Sequence, residues 1–82
     1  IYIGALDENS LNTMIKVANQ KRKTTKTLVE YTPRSFGKHF GIAEKLSANI
    51  VALIGENELK NGTIYIKNIK TKEETNLKLE DF

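Results

Sequence analysis

The sequence predicts an α/β domain: a five-stranded mixed sheet, with three parallel strands plus a C-terminal β-hairpin, flanked by two longer helices and one short helix. An unbroken apolar run at 50–54, IVALI, is typical of a strand that is covered on both faces. Alternating apolar and polar residues at 63–69 are typical of a strand with one exposed face. Apolar residues at helical spacing over 11–18 indicate an amphipathic helix before the second strand.

The elements are predicted in the order β-α-β-α-β, a short helix and then the hairpin. We expect strands at 1–6, 26–31, 50–55, 63–69 and 75–79, helices from about 11 to 23 and from 36 to 47, and one helical turn at 56–60. Pro33 prevents the second strand from continuing, Ser35 is a suitable N-cap, and Phe82 is expected to dock against the domain. Right-handed crossovers make the first three strands parallel, with helices on both faces and a reversal of strand order beside the first strand. Ligands of such sheets gather at the carboxyl ends of the strands, here at residues 4–7 and 55–56.

Composition narrows the function classes. The 82 residues make one domain, and a net charge of +3 allows a polyanionic partner without requiring one. The absence of cysteine excludes a disulfide framework and a thiolate metal site. No apolar run is long enough to span a bilayer and no signal peptide is recognisable, which together favour a cytoplasmic protein. Because the chain starts within a predicted strand, we expect residues 1–82 to be a fragment of a longer polypeptide.

Catalytic motifs are missing from the sequence. It contains no nucleophile elbow, Walker loop, paired-histidine zinc motif or Gly-rich dinucleotide fingerprint. We therefore expect no catalytic residue, no metal ligand and no cofactor in this chain, and predict a binding module. His39, the single histidine, lies in the apolar stripe of the second helix, which favours a core position with one hydrogen bond over a ligand contact. Gly37 and Gly41 on its polar face indicate either a thinly stabilised helix or the close approach of a partner's backbone.

Polar residues around the fourth strand are the candidate binding residues. Glu56 and Glu58 either charge the first turn of the short helix or accept hydrogen bonds from a guanine edge. Lys67 and Tyr65 are either ordinary exposed strand residues or a phosphate contact and a stacking face. The basic triplet 21–23 is either a solvated helix end or a patch that contacts phosphate.

Three segments of the chain are similar to a known family. They are Ser35–Phe40 with Ala43–Lys45, similar to Ser-Leu-Lys-Lys-Gln-Phe and Ala-Asp-Lys; Ile54–Leu59, similar to Ile-Gly-Glu-Asp-Glu-Leu; and Gly62–Thr63 with Lys67–Ile69, similar to Gly-Thr followed by Lys-Asp-Leu. These segments resemble the C-terminal anticodon-binding domain of class II aminoacyl-tRNA synthetases, and within that group the histidyl-tRNA synthetases most. Prolyl-, threonyl- and glycyl-tRNA synthetases share the domain.

The resemblance implies a domain that binds the anticodon stem-loop of tRNA. It also implies a catalytic core outside this chain, homodimeric and dependent on ATP and Mg, that forms histidyl-adenylate and transfers histidine to tRNA. Carried over by position, Glu56, Glu58 and Lys67 are expected to line one solvent-open ledge where nucleotides lie. Lys38 matches a family lysine and is the candidate for a phosphate contact, while Tyr65 is the candidate for stacking.

Other functions are compatible with the same fold. A synthetase-like regulatory or protein-interaction module is the main alternative, because a fold does not determine a function. The same domain of a prolyl-, threonyl- or glycyl-tRNA synthetase is a further alternative. A free-standing small-molecule binder at the strand ends is a third hypothesis, and it lacks a phosphate-cradling loop.

Overall fold

The computed structural model describes all 82 residues as five strands, three α-helices and two short 3₁₀ turns. The strands are β1 (Tyr2–Ala5), β2 (Leu28–Glu30), β3 (Ile50–Ile54), β4 (Thr63–Asn68) and β5 (Glu74–Lys78). The helices are α1 (Leu11–Lys21), α2 (Phe36–Lys45) and α3 (Glu56–Asn61), and the 3₁₀ turns are Glu8–Ser10 and Leu79–Asp81. Their types and order match the sequence prediction.

One mixed sheet contains all five strands in the order β2-β1-β3-β4-β5. β1 pairs in parallel with β2 on one side and with β3 on the other. β4 is antiparallel to both β3 and β5. The predicted parallel centre, antiparallel hairpin and reversal of strand order beside β1 are therefore confirmed.

The first core layer lies between the sheet and α1. Its fully buried members come from both: Ile3, Ala5, Ala52, Ile54 and Ile64 from the strands and Met14 and Ala18 from α1. Leu59 of α3 and Phe82 pack against this layer from its margin. Phe82 is half-buried, and its ring centroid lies 4.4 Å from the Lys21 ammonium, so the predicted docking of the last residue is confirmed.

The second core layer lies on the opposite face, under α2. Tyr2, Val51, Leu53 and Ala43 are fully buried there, with Phe40 and Ile42 of the helix at the margin. Successive residues of β3 thus enter different layers. This is why the strand needs apolar side chains at every position and appears in the sequence as an unbroken run.

Several element ends differ from the prediction by one or two residues. α1 ends at Lys21, because the chain turns there and the N–H groups of Thr24 and Thr25 bond to the Lys21 carbonyl. α2 ends at Lys45, because Ser47 adopts the left-handed conformation with φ of 58°. β2 is three residues long, and β5 begins at Glu74. None of the helices combines the length and the apolar character that crossing a membrane demands.

Candidate nucleic-acid interface

Asp7 joins the carboxyl ends of β1 and β3, where ligands of such sheets gather. One of its carboxylate oxygens accepts hydrogen bonds from the Ser10 N–H and hydroxyl at 2.9 and 2.7 Å. The other accepts from the Glu56 N–H at 3.1 Å. The Asp7 side chain therefore occupies the crevice at the reversal of strand order. The two surface pockets lie elsewhere, beside Phe82 and beside Leu46, so the small-molecule hypothesis finds no cavity at this end.

Glu56 is the exposed carboxylate of this region. It is the first residue of α3, where the helix dipole favours a negative charge. Its side chain accepts one long hydrogen bond, 3.4 Å, from the Asn9 amide. Most of its accepting capacity is free for donors from outside the protein, as a guanine edge would supply.

Glu58 is engaged within the chain. It is half-buried, and its Oε1 accepts a hydrogen bond of 2.7 Å from the Gly55 N–H, which holds the start of α3. A Cβ added at Gly55 would lie 3.1 Å from that oxygen and 2.8 Å from Leu6 Cδ1, so the turn is closely packed. Glu58 thus has the structural role at the start of α3 that the sequence allowed. An RNA contact by its second carboxylate oxygen stays a prediction.

Tyr65 lies on the face of β4 that α2 covers. Its ring meets Phe36 edge-to-face, with centroids 5.2 Å apart and planes at 87°. Its hydroxyl donates to the Glu74 carboxylate, and burial together with that carboxylate raises the pKa of Tyr65 to about 12. Tyr65 is thus a neutral, anchored ring, and its partner Phe36, 41% exposed, presents the more accessible aromatic surface.

Lys67 follows on the same face of β4. Its ammonium lies 5.0 Å from the centroid of Phe40, which packs against Phe36 at 6.0 Å. We call Phe36, Phe40, Tyr65 and Lys67 the aromatic cluster. The two phenylalanines lie four residues apart on a helix, and this spacing was the signal available in the sequence. Their partners on the strand depend on topology.

Lys38 projects from the outer surface of α2. It is exposed, its ammonium forms no salt bridge, and its backbone N–H donates to the Ser35 hydroxyl at 3.4 Å. The neighbouring Gly37 and Gly41 are also exposed, and a Cβ at either would meet nothing within 4 Å. Packing within the chain therefore does not require these glycines.

The expectation that Glu56, Glu58 and Lys67 form one ledge is wrong in its geometry. Glu56 follows the carboxyl end of β3, whereas the antiparallel register pairs Lys67 with Val51 near the amino end. Val51 and Glu56 are five residue steps apart along extended chain, about 16 Å at 3.3 Å per residue. The candidates form two groups: the glutamates at the strand ends and the aromatic cluster beside α2.

His39 is a core residue, as predicted, and bonds at both ring nitrogens rather than one. Nε2 lies 2.7 Å from the Ala5 carbonyl and Nδ1 lies 2.7 Å from the Tyr2 hydroxyl. Since a carbonyl only accepts, Nε2 carries the proton and Nδ1 accepts from Tyr2. Burial lowers the pKa of His39, which keeps it neutral and unavailable to a ligand.

Metal-binding residues are not clustered in this chain. No group of three or more His, Cys, Asp or Glu side chains is placed to hold a metal ion.

Comparison with known proteins decides the family. The family model described as "Anticodon binding domain" matches residues 1–82, the whole chain. The chain belongs to this family. The resemblance to an anticodon-binding domain is thereby confirmed. The match extends over residues 1–82 and not only over the three similar segments.

Named relatives of this anticodon-binding domain are synthetases. Histidine–tRNA ligases of Sulfurovum sp. and Sulfurimonas denitrificans are 40% and 38% identical over 80 and 81 residues, covering 98% and 99% of the chain. In both, the chain spans 20% of the relative's length. The crystal structure of histidyl-tRNA synthetase from Nostoc sp. PCC 7120 superposes with a TM-score of 0.89 over 99% of this chain and 20% of that one. At 22% identity this likeness shows the fold alone.

Proposed function

We propose that this anticodon-binding domain binds the anticodon stem-loop of tRNA, specifically tRNA-His, as one part of a histidine–tRNA ligase. The observation behind the proposal is the family match over residues 1–82 together with 38–40% identity to two histidine–tRNA ligases. The remaining four fifths of such a protein would bind ATP, Mg and histidine, form histidyl-adenylate, pair into a homodimer and work in the cytoplasm. The present residues would hold the tRNA rather than take part in the chemistry.

Each candidate group has a suitable role on RNA. The free carboxylate of Glu56 can accept from N1 and N2 of a guanine, and the histidine anticodon contains two guanines. The accessible face of Phe36 suits stacking by an unpaired base, which is worth about 1–3 kcal/mol per base. Lys67 and Lys38 supply cations for phosphate. The levels of Glu56 and Lys67 along the strands differ by about 16 Å, which corresponds to roughly five stacked bases at 3.4 Å each.

Titration with stem-loop RNA tests the proposal. The wild-type chain should prefer the histidine anticodon stem-loop over one with both guanines changed to adenines. Glu56→Ala should reduce that preference by about 1–3 kcal/mol, because the carboxylate no longer discriminates the base edge. Lys38→Ala should weaken binding to both RNAs alike, because a phosphate contact is independent of sequence. Fluorescence anisotropy at low and moderate salt measures both effects.

Asn57→Ala provides the control for Glu56, since Asn57 is an exposed neighbour in the same turn. This variant should keep the wild-type preference. Equal affinity of the wild-type chain for the two stem-loops, even at low salt, would refute base recognition. Absence of any RNA binding would favour the protein-interaction alternative.

A further inference from the structure

The amino ends of the parallel strands form one side of the molecule. The α1–β2 connection (22–27) and the α2–β3 connection (46–49) both reach this side, because each leads into the start of a parallel strand. The β4–β5 turn (69–73) joins them, since Asn68 pairs with Ile50 and the Ile69 N–H donates to the Asn49 carbonyl at 2.8 Å. Residues far apart in sequence are thereby gathered at one edge of the sheet.

Exposed cations are concentrated on this side, which we call the basic end. They are Arg22, Lys23, Lys26, Lys45, Lys70 and Lys72. Glu73 is the only carboxylate in the three connections, and Glu44 directly precedes Lys45. The single salt bridge of the chain, Arg34 with Glu30 at 3.3 Å, lies at the other end. The cations of the basic end are thus without an ionic partner inside the domain.

The opposite end has the opposite sign. The connections that leave β1 and β3 there contain Asp7, Glu8, Glu56 and Glu58, with Lys60 as their only cation. The molecule measures 28 × 26 × 22 Å, several times the Debye length of about 8 Å at physiological salt. The acidic end therefore does little to repel a polyanion that approaches the basic end.

Helix dipoles explain only part of this segregation. Cations near the carboxyl end of a helix are stabilised by its partial negative charge, which accounts for Arg22, Lys23 and Lys45. Lys26 lies in the segment leading into β2, and Lys70 and Lys72 lie in the turn between two strands. No helix end stabilises these three, so the helix dipole does not account for their position at one edge.

We propose that the basic end is a second RNA contact, which binds backbone phosphates of the tRNA arm without recognising bases. The inference rests on the proposed function but concerns residues distinct from Glu56, Lys38 and the aromatic cluster. Phosphate neutralisation by lysine and arginine releases condensed counterions, so its measurable signature is the dependence of affinity on salt. Base recognition and backbone binding are then separable properties of the same chain.

Two matched double variants test the proposal. Lys26→Gln/Lys70→Gln removes two cations from the basic end, and Lys60→Gln/Lys78→Gln removes two exposed cations from the other end. Both lower the formal net charge from +3 to +1, so any difference reports position rather than total charge. Binding of the histidine stem-loop and of a scrambled-loop stem is measured between about 50 and 200 mM salt, with melting curves to verify the fold.

The basic-end pair should reduce the slope of log affinity against log salt by about 1–2, about one for each phosphate that is no longer neutralised, and equally for both RNAs. The control pair should keep the wild-type slope. Equal slopes for the two pairs, with the wild-type anticodon preference intact, would overturn this inference and leave the proposed function standing. A reduced slope in the basic-end pair alone, without any anticodon preference, would support the basic end and refute base recognition. No RNA binding at all would refute both.

Discussion

His39 fastens α2 to β1 by hydrogen bonds at both ends of its ring. Its bonds to the Tyr2 hydroxyl and the Ala5 carbonyl fit only the neutral ring protonated at Nε2. A second proton would have to sit on Nδ1, which faces the Tyr2 oxygen, in a fully buried site. Burial is the main cause of the lowered pKa of His39; the hydrogen bond to the Ala5 carbonyl and the charge of Glu30 oppose it, and Arg34 adds to it. The lowered pKa links the stability of the fold to pH.

The free energy of unfolding should fall as the pH drops below 6.5, the ordinary value for histidine. In that range the unfolded chain takes up a proton that folded His39 does not, so acid favours unfolding, by at most about 1.4 kcal/mol per pH unit. Above pH 6.5 this contribution is constant. His39→Gln, which does not titrate, should remove the dependence between about pH 6.5 and 5. Urea unfolding of the wild type and of His39→Gln at about pH 7.5 and 5.5 measures this dependence. An equal loss of unfolding free energy in the two proteins would show that His39 is not its source.

Gly4 determines how closely α2 can approach the sheet. A Cβ at this position would lie 2.4 Å from His39 Cε1 and 2.7 Å from its Nδ1. The imidazole thus occupies the space that the side chain of any residue other than glycine would need at position 4. Because both ring nitrogens are committed, the ring cannot move aside without breaking a buried hydrogen bond.

Gly4→Ala should therefore destabilise the domain by about 1–3 kcal/mol, the usual cost of overpacking a core. Gly41→Ala, a matched change on the outer face of α2, should stabilise it by about 0.5–1 kcal/mol, because alanine is the better helix former and its Cβ meets nothing. Melting midpoints of the two variants test this contrast. If Gly4→Ala melts at the same temperature as the wild type, α2 can move away from β1 without a loss of stability, which would contradict the prediction.

Local sequence patterns predicted the helices and strands well. The geometry of the candidate interface instead depends on contacts between residues that are far apart in sequence. The apolar run of β3 was sufficient because coverage on both faces requires every residue of the strand to be apolar. The hydrogen bond from Gly55 to Glu58 is also local, spanning three residues. Contact between Phe36 and Tyr65 joins residues 29 apart in sequence, and the distance between Glu56 and Lys67 depends on strand register. Neither follows from periodicity.

For the molecule as a whole, burial falls from the centre of the sheet to one edge. β1 is buried along its whole length and β3 in all but its first residue, while all five residues of β5 are exposed. β5 also has a partner on one side only. Few apolar contacts oppose its opening, so we expect β5 to open locally before the buried strands do.

Hydrogen exchange should follow this gradient. Amides that bond between β1 and β3 should exchange only by global unfolding, whereas those between β4 and β5 should exchange through local opening and become unprotected first. NMR exchange measured at increasing urea distinguishes the two, because global opening is strongly urea-dependent and local opening is not. Equal protection of β5 and β3 would mean that the hairpin unfolds only with the core.

The two outer strands also limit self-association. β2 has only three residues and is followed by Pro33, and β5 has a charged residue at each end, Glu74 and Lys78. Short, charged borders of this kind are poor templates for a neighbouring backbone. We therefore expect copies of the chain to resist stacking into continuous intermolecular ladders at high concentration.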